Sequence, residues 1–217
     1  MRPITSSKAV MSKIPDLDQV KSYFDKRIRE HGASPRGSDW NSDTSQNIRF
    51  DQLLKVFQTQ SFSLLDYGCG YGALADYLEA KGFEVAYYGY DILESAIETA
   101  RKTHKDKQRR LFFTDKSQLP VCDYTVASGI FNFRGEQAFE DWTEYVLGLL
   151  NEFNQLSVRG FSSNFLTKYS DAERMRSDLY YADPMFLFDY CKRNFSKNVA
   201  LLHDYHLYDF TLIVRKD

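Results

Sequence analysis

Cysteine is scarce in this chain of 217 residues. Cys69, Cys122 and Cys191 are an odd, scattered set without a CxxC pair, which argues against a disulfide framework and against a zinc site. An excess of charge of one sign is also missing. The 28 Lys and Arg nearly offset 30 Asp and Glu, leaving a net charge of −2, so no broad basic field exists to drive nucleic-acid binding. No apolar run approaches the roughly 20 residues that span a bilayer. The N-terminal stretch MRPITSSKAVMSKIP lacks the apolar centre of a signal peptide. Internal repeats and low-complexity blocks are absent as well. These features predict a cytoplasmic protein with no membrane partner, no nucleic-acid partner and no metal.

What is present is an ordinary globular composition, 43% apolar, in a chain long enough to bury a real core. It is rich in Phe (17) and Tyr (15), and tyrosine hydroxyls can line a polar pocket. The one basic cluster, RKTHKDKQRR at Arg101–Arg110, reads as a solvated helix end, with His104 at the surface. A phosphate-binding patch is its other reading.

Hydrophobic periodicity organises the chain. DLDQVKSYFDKRIREHG has helical spacing and stops at Gly32. The turn-rich Ala33–Gln46 follows, and then a second helix over QNIRFDQLLKVF. From Phe62 strands and helices alternate. FSLLDY, FEVAYYGYD, RRLFFTD, DYTVASGIFNF and VRGFSSNFLT read as strands with helices between them. A helix opened by Pro184 precedes NVALLHDY and LYDFTLIVRK, which are close enough to form a hairpin. The predicted fold class is α/β. It is a doubly wound, seven-stranded, mostly parallel sheet with a terminal antiparallel hairpin and an N-terminal helical cap. The expected organisation is a flexible tail over 1–15, a helical cap or lid over 16–60 and a cofactor-binding core over 61–217.

The stretch LLDYGCGYG, Leu64–Gly72, joins the first strand to its helix, where doubly wound folds bind ligands. Glycines there permit a tight turn and a close backbone approach. The spacing is G-x-G-x-G at Gly68, Gly70 and Gly72, whereas dinucleotide sites prefer G-x-G-x-x-G. Ala73 stands at the last position of that pattern, which dinucleotide variants tolerate. Asp91 ends the second strand, where a carboxylate can accept from both ribose hydroxyls. Asp115 ends the third, near where an adenine amino group would lie. The set suits an adenosine-containing cofactor.

In this order, LLDYGCGYGALADYL, YYGYDILESAIETAR and LFFTDKSQLPVCDYTVASGIF resemble a class I S-adenosylmethionine-dependent methyltransferase over roughly Phe62 to Phe133. The resemblance implies that Asp66, Gly68 and Gly70 face the methionine part of S-adenosylmethionine. It implies that Asp91 binds ribose while Ile92 packs on adenine, that Asp115 and Lys116 border adenine, and that Ser128 and Gly129 lie under the methionine and sulfonium. A helix cap is the other reading of Asp66, and an exposed strand end that of Asp115. A further N-terminal resemblance to a subset of these enzymes involves Tyr23, Arg27, His31, Gly32, Trp40, Asn41, Ser42, Gln46, Arg49 and Phe50. It implies a lid over the cofactor, with Tyr23 in it and Arg49 or Gln46 meeting the methionine carboxylate. Arg49 also reads as a helix-surface charge.

Methyl transfer needs an aligned nucleophile and, for a hydroxyl or ammonium, loss of a proton. His203, at the end of the sixth strand, and Asn164, at the end of the fifth, are the candidate catalytic residues. Tyr180, Tyr181 and Asp183 lie in the insert before the sixth strand, where this fold commonly places substrates. The fourth strand is followed by ASGIFN rather than an NPPY-like tetrad, a departure from many methylases of nucleic-acid bases and glutamine amides. The implied activity is methyl transfer to an oxygen or nitrogen of a small-molecule acceptor. The alternatives are an RNA or protein methylase, a non-catalytic cofactor-binding relative and an NAD-linked oxidoreductase.

Overall fold

The computed structural model describes residues 15–32, 34, 37 and 42–216. Nearly all of the tail expected over 1–15, together with Trp40 and Asn41, falls outside the described residues. The helices are α1 (Asp18–His31), α2 (Asp43–Leu53), α3 (Ala73–Ala80), α4 (Glu94–Thr103), α5 (Phe139–Leu156) and α6 (Pro184–Asn194). The strands are β1 (Ser61–Tyr67), β2 (Glu84–Tyr90), β3 (Arg110–Phe113), β4 (Cys122–Ala127), β5 (Ser157–Leu166), β6 (Asn198–Leu202) and β7 (Asp209–Arg215).

The sheet order is β3-β2-β1-β4-β5-β7-β6. The first five strands pair in parallel, while β7 runs antiparallel to both β5 and β6. The expected hairpin is therefore present, with its second strand inserted next to β5. The topology reverses at β1, between β2 and β4, and this is where an open α/β sheet leaves a crevice at its carboxyl edge.

Alternation along β1 divides the core between two faces. Phe62 and Leu64 point to one side, where Phe50 and Leu53 of α2, Leu74 and Leu78 of α3 and Ile97 of α4 pack. Leu65 and Tyr67 point to the other, against Trp142, Val146, Leu150 and Phe153 of α5 and Leu187 of α6. The two N-terminal helices take different places. α2 lies on the sheet, where the Ser162 hydroxyl of β5 donates to the Leu53 carbonyl at 3.0 Å. α1 lies against α4, where the Ser95 hydroxyl donates to Asp25 Oδ1 at 2.7 Å.

Local chemistry sets the element ends. Ser42 and Ser45 cap α2 reciprocally, so that helix begins earlier than its apolar pattern suggests. Asp183 accepts from the amides of Met185 and Phe186 ahead of Pro184 at the start of α6. β4 stops at Ala127, earlier than the apolar run through Phe133 predicts. Beyond it the chain leaves the sheet, and Trp142 Nε1 ties it down by donating to the Phe131 carbonyl at 2.9 Å.

Gly160 shows how tightly β5 and β7 pair. Its φ is +153°, and a Cβ there would sit 2.2 Å from the Val214 carbonyl oxygen. Gly160→Ala is expected to destabilise the protein by about 2–3 kcal/mol through backbone strain and overpacking. A lowered urea midpoint at unchanged m-value checks this, and an unchanged midpoint would contradict it.

Candidate active site

The turn after β1 hangs from the end of β2. The amides of Gly68 and Cys69 both donate to the Tyr90 carbonyl, at 2.7 and 2.9 Å. The Gly70 amide donates to Asp91 Oδ2 at 2.9 Å. Asp91 Oδ1 accepts from the Leu93 amide at 3.0 Å and so also fixes the entry to α4. The turn needs glycine at Gly68, where φ is +83° and a Cβ would lie 2.1 Å from Ile130 Cγ2. In β2, Gly89 makes room for the Cys69 sulfur, which a Cβ would approach to 2.8 Å.

This turn forms one wall of a mostly apolar cleft. Asp66, Gly68, Gly70, Asp91, Ile92, Ser128 and Gly129 line it, and Gln46 reaches it from α2. The opposite wall is α1, which presents Leu17, Val20, Phe24 and Ile28, one stripe at helical spacing. Tyr71, Tyr90, Trp142 and Tyr145 complete the lining. Glycine turn, strand-end carboxylate and covered apolar cleft converge at the switch point of the sheet.

A methyltransferase-domain family model matches residues 26–159. A Mycobacterium tuberculosis protein named as a methyltransferase, Rv1506c, is 50% identical over 155 residues, covering 71% of this chain and 93% of that protein. The chain belongs to the class I S-adenosylmethionine-dependent methyltransferase family.

Solved structures agree on the fold of this methyltransferase. Magnesium protoporphyrin IX methyltransferase from Synechocystis, with bound S-adenosylhomocysteine, superposes with a TM-score of 0.67 at 18% identity. It covers 93% of this chain and 100% of that one. The N-methyltransferase NodS from Bradyrhizobium japonicum gives 0.64 at 12% identity, covering 92% and 99%.

Burial dominates the electrostatics of the methyltransferase site. Asp66 is buried and accepts from the Tyr87 hydroxyl. Desolvation pushes its carboxyl up to about 7, against the Tyr87 bond and helped by the negative charge of Asp91. Burial also raises Asp91, while the amides of Leu93, Gly70 and Ile92 pull the other way. Burial raises Tyr71, while the Gln46 side chain pulls the other way.

Six sequence candidates lie outside the cleft lining. Tyr23 stacks on Phe133, with ring centroids 4.1 Å apart, and so fastens α1 to the loop after β4. Arg49 is buried in an ion pair with Asp209 at the start of β7 and donates to the Ser45 carbonyl at 2.9 Å. It is neither a surface charge nor turned to the cleft. Asp115 is exposed and caps a short 3-10 turn, where the Ser117 amide and hydroxyl hold its carboxyl below the usual value. Lys116 pairs with Glu152 at 2.6 Å. His203 is exposed in the loop after β6, with its ring near Tyr169 and Phe210. Asn164 is fully buried behind Ser128 and Gly129.

The insert residues are structural too. Tyr180 is buried against Thr143, the Tyr181 hydroxyl accepts from the Arg176 amide, and Asp183 pairs with Lys168. His104, expected at the surface, is buried beneath the glycine turn, where a Cβ on Gly72 would come within 2.7 Å of its Nε2. Arg110 donates to His104 Nδ1 at 2.6 Å and pairs with Asp76 and Glu79. Lys107 also pairs with Glu79. The acids of α3 thus offset much of the basic segment. Among the described residues no cluster of His, Cys, Asp and Glu is arranged to hold a metal, and no helix is long and apolar enough to cross a membrane.

The raised Asp66 carboxyl has a defined linkage. Its folded value is about 7 against 3.8 for the unconstrained group, so between those values the folded state holds the proton more tightly. This contribution to stability is fully present below about pH 4 and is lost as pH rises through about 7. Asp66→Asn keeps an acceptor for Tyr87 and removes the titration. The difference in Tm between variant and wild type is expected to move in the variant's favour from about pH 4 to 7 and then level off. A pH-independent difference would contradict the assignment.

Proposed function

We propose that this methyltransferase moves the methyl group of S-adenosylmethionine to an oxygen or nitrogen of a small-molecule acceptor. The observation that carries the cofactor assignment is Asp91. It is buried at the cleft wall and uses one acceptor position on each oxygen for Gly70 and Leu93. A carboxylate offers about four acceptor sites in all, so with the Ile92 amide also close by, capacity remains for at least one ribose hydroxyl. Gly68 and Gly70 keep this part of the cleft wall free of side chains, which leaves room for the same ligand.

In this reading Asp91 holds the ribose and Ile92 the adenine face. Asp66 and the backbone at Gly68 and Gly70 meet the methionine part, with Gln46 on its far side. Ser128 and Gly129 form the floor, and the α1 stripe of Val20, Phe24 and Ile28 excludes water. When bound, S-adenosylmethionine supplies a sulfonium methyl that is a good electrophile without further activation. The residues around it therefore serve to orient and desolvate.

The small-molecule part is supported by the near-neutral chain, the charge pairing of the Arg101–Arg110 segment and the enclosure of the cleft by α1. Two structural neighbours, named as magnesium protoporphyrin IX and N-acetylserotonin methyltransferases, bear small-molecule acceptors in their names. A cytoplasmic location is consistent with this reading.

Titration calorimetry with S-adenosylhomocysteine, using NAD as the control, tests the proposal. Wild type is expected to bind S-adenosylhomocysteine and not NAD. Asp91→Ala is expected to lose about tenfold or more in affinity, the scale of one charge-assisted hydrogen bond. Preference for NAD, or an unaffected Asp91→Ala variant that remains folded by circular dichroism, would overturn the assignment.

A further inference from the structure

β4 and β5 stay paired only to Ala127 and Ser163. One residue later β4 has left the sheet, while β5 continues to Leu166 alongside β7. The backbone amide of Gly129 therefore has no partner strand to donate to, and a buried amide without an acceptor is costly. Asn164 fills this gap. Its Oδ1 accepts from the Gly129 amide at 2.7 Å, and its Nδ2 donates to Ser128 Oγ at 3.3 Å. The side chain is fully buried, opposite Thr211 of β7. Thr211 is in turn held by the Tyr205 hydroxyl at 3.0 Å. Gly129 has φ of +77°, and its carbonyl accepts from the Asn132 amide at 3.5 Å, so the turn closes on itself. Ser128 and Gly129 are only half-buried and line the cleft.

We infer that Asn164 is a positioning residue that replaces the missing strand pairing and fixes the Ser128–Gly129 turn as the floor beneath the sulfonium end of the cofactor. The inference rests on the S-adenosylmethionine reading of the cleft. It assigns Asn164 to action through Ser128 and Gly129, not to contact with the reacting atoms. The amide is suited to this role because it offers an acceptor to a backbone N–H and a donor to a hydroxyl at once.

The test uses charge as a ruler. Asn164→Asp keeps an acceptor for Gly129, and the Ser128 hydroxyl can turn to donate to its second oxygen, so the clamp survives with a negative charge added. S-adenosylmethionine carries one more positive charge than S-adenosylhomocysteine. Burial raises carboxyls in this fold, as at Asp66, so the ratio of the two affinities is followed from about pH 6 to about pH 9. At the upper end the ionised carboxylate under the sulfonium is expected to raise the preference for S-adenosylmethionine over S-adenosylhomocysteine about fivefold or more. That gain should vanish at low pH as the carboxyl protonates. Asn164→Leu removes both hydrogen bonds while keeping the branched shape, with somewhat greater bulk, and is expected to weaken both ligands about tenfold or more.

An Asn164→Asp preference within about twofold of wild type across that whole pH range would overturn the inference, since it would place the clamp away from the sulfonium end of the ligand. So would wild-type affinity in Asn164→Leu. Should the leucine variant fail to fold, the ratio measured with Asn164→Asp decides by itself. Failure of the unsubstituted protein to bind either ligand removes the cofactor reading, and this inference with it.

Discussion

The site depends on one attachment, in which the glycine turn after β1 is hung on the end of β2. Three successive amides, those of Gly68, Cys69 and Gly70, donate to Tyr90 and Asp91. A turn that donated these amides into its own helix would lie flat on the strand end. Held outward by its neighbour, it leaves a gap that α1 roofs over. The attachment requires glycine twice, at Gly68 to clear Ile130 and at Gly89 to admit Cys69. It also requires a carboxylate at the end of β2 before any ligand is considered. Asp91 is thus a structural fastener and, with its remaining acceptor capacity, the natural partner for a diol.

The cost of this arrangement is two carboxylates buried side by side. Asp91 adds to the rise at Asp66, and removal from water is the largest cause for both. Tyr87 and three backbone amides offset part of that cost. A cationic ligand with donor groups would offset more, so the same burial that strains the site selects what it takes. Arg49 shows the opposite solution. It supplies Asp209 with a direct counter-ion under α2, and the pair ties the N-terminal helices to the last strand. Burial still raises Asp209 despite the guanidinium beside it.

Most of the architecture was legible in the sequence because it follows from periodicity. Apolar runs and glycine stops located all seven strands, the terminal hairpin and the switch point, but not the insertion of the last strand beside β5. The residues on the turn and at the end of β2 followed from position along a strand, which a sequence displays. Partners between distant segments were not legible. His104 and Arg110 sit in a run of basic residues and look solvated, yet the acids of α3 draw Arg110 inward and the glycine turn covers His104. Asp115 stands at the expected strand end, but Ser117 two residues on captures it as a cap. His203 lies at a strand terminus that faces solvent. The aromatic lining from Tyr71, Tyr90, Trp142 and Tyr145 was missed, because nothing in their spacing separates a cleft wall from a core. The α1 stripe was visible in its helical spacing, within the segment expected as a cap or lid, though not which of its residues face the cleft.

The most direct measurement of the central claim is a crystal structure of the protein with S-adenosylhomocysteine. The account predicts the ribose hydroxyls on the Asp91 carboxylate and the homocysteine chain over Gly68 and Gly70. The Ser128–Gly129 turn should lie beneath the sulfur, with the Gly70 amide still bound to Asp91. A ligand lying elsewhere, or one that reached Asp91 only after the turn detached from β2, would contradict it.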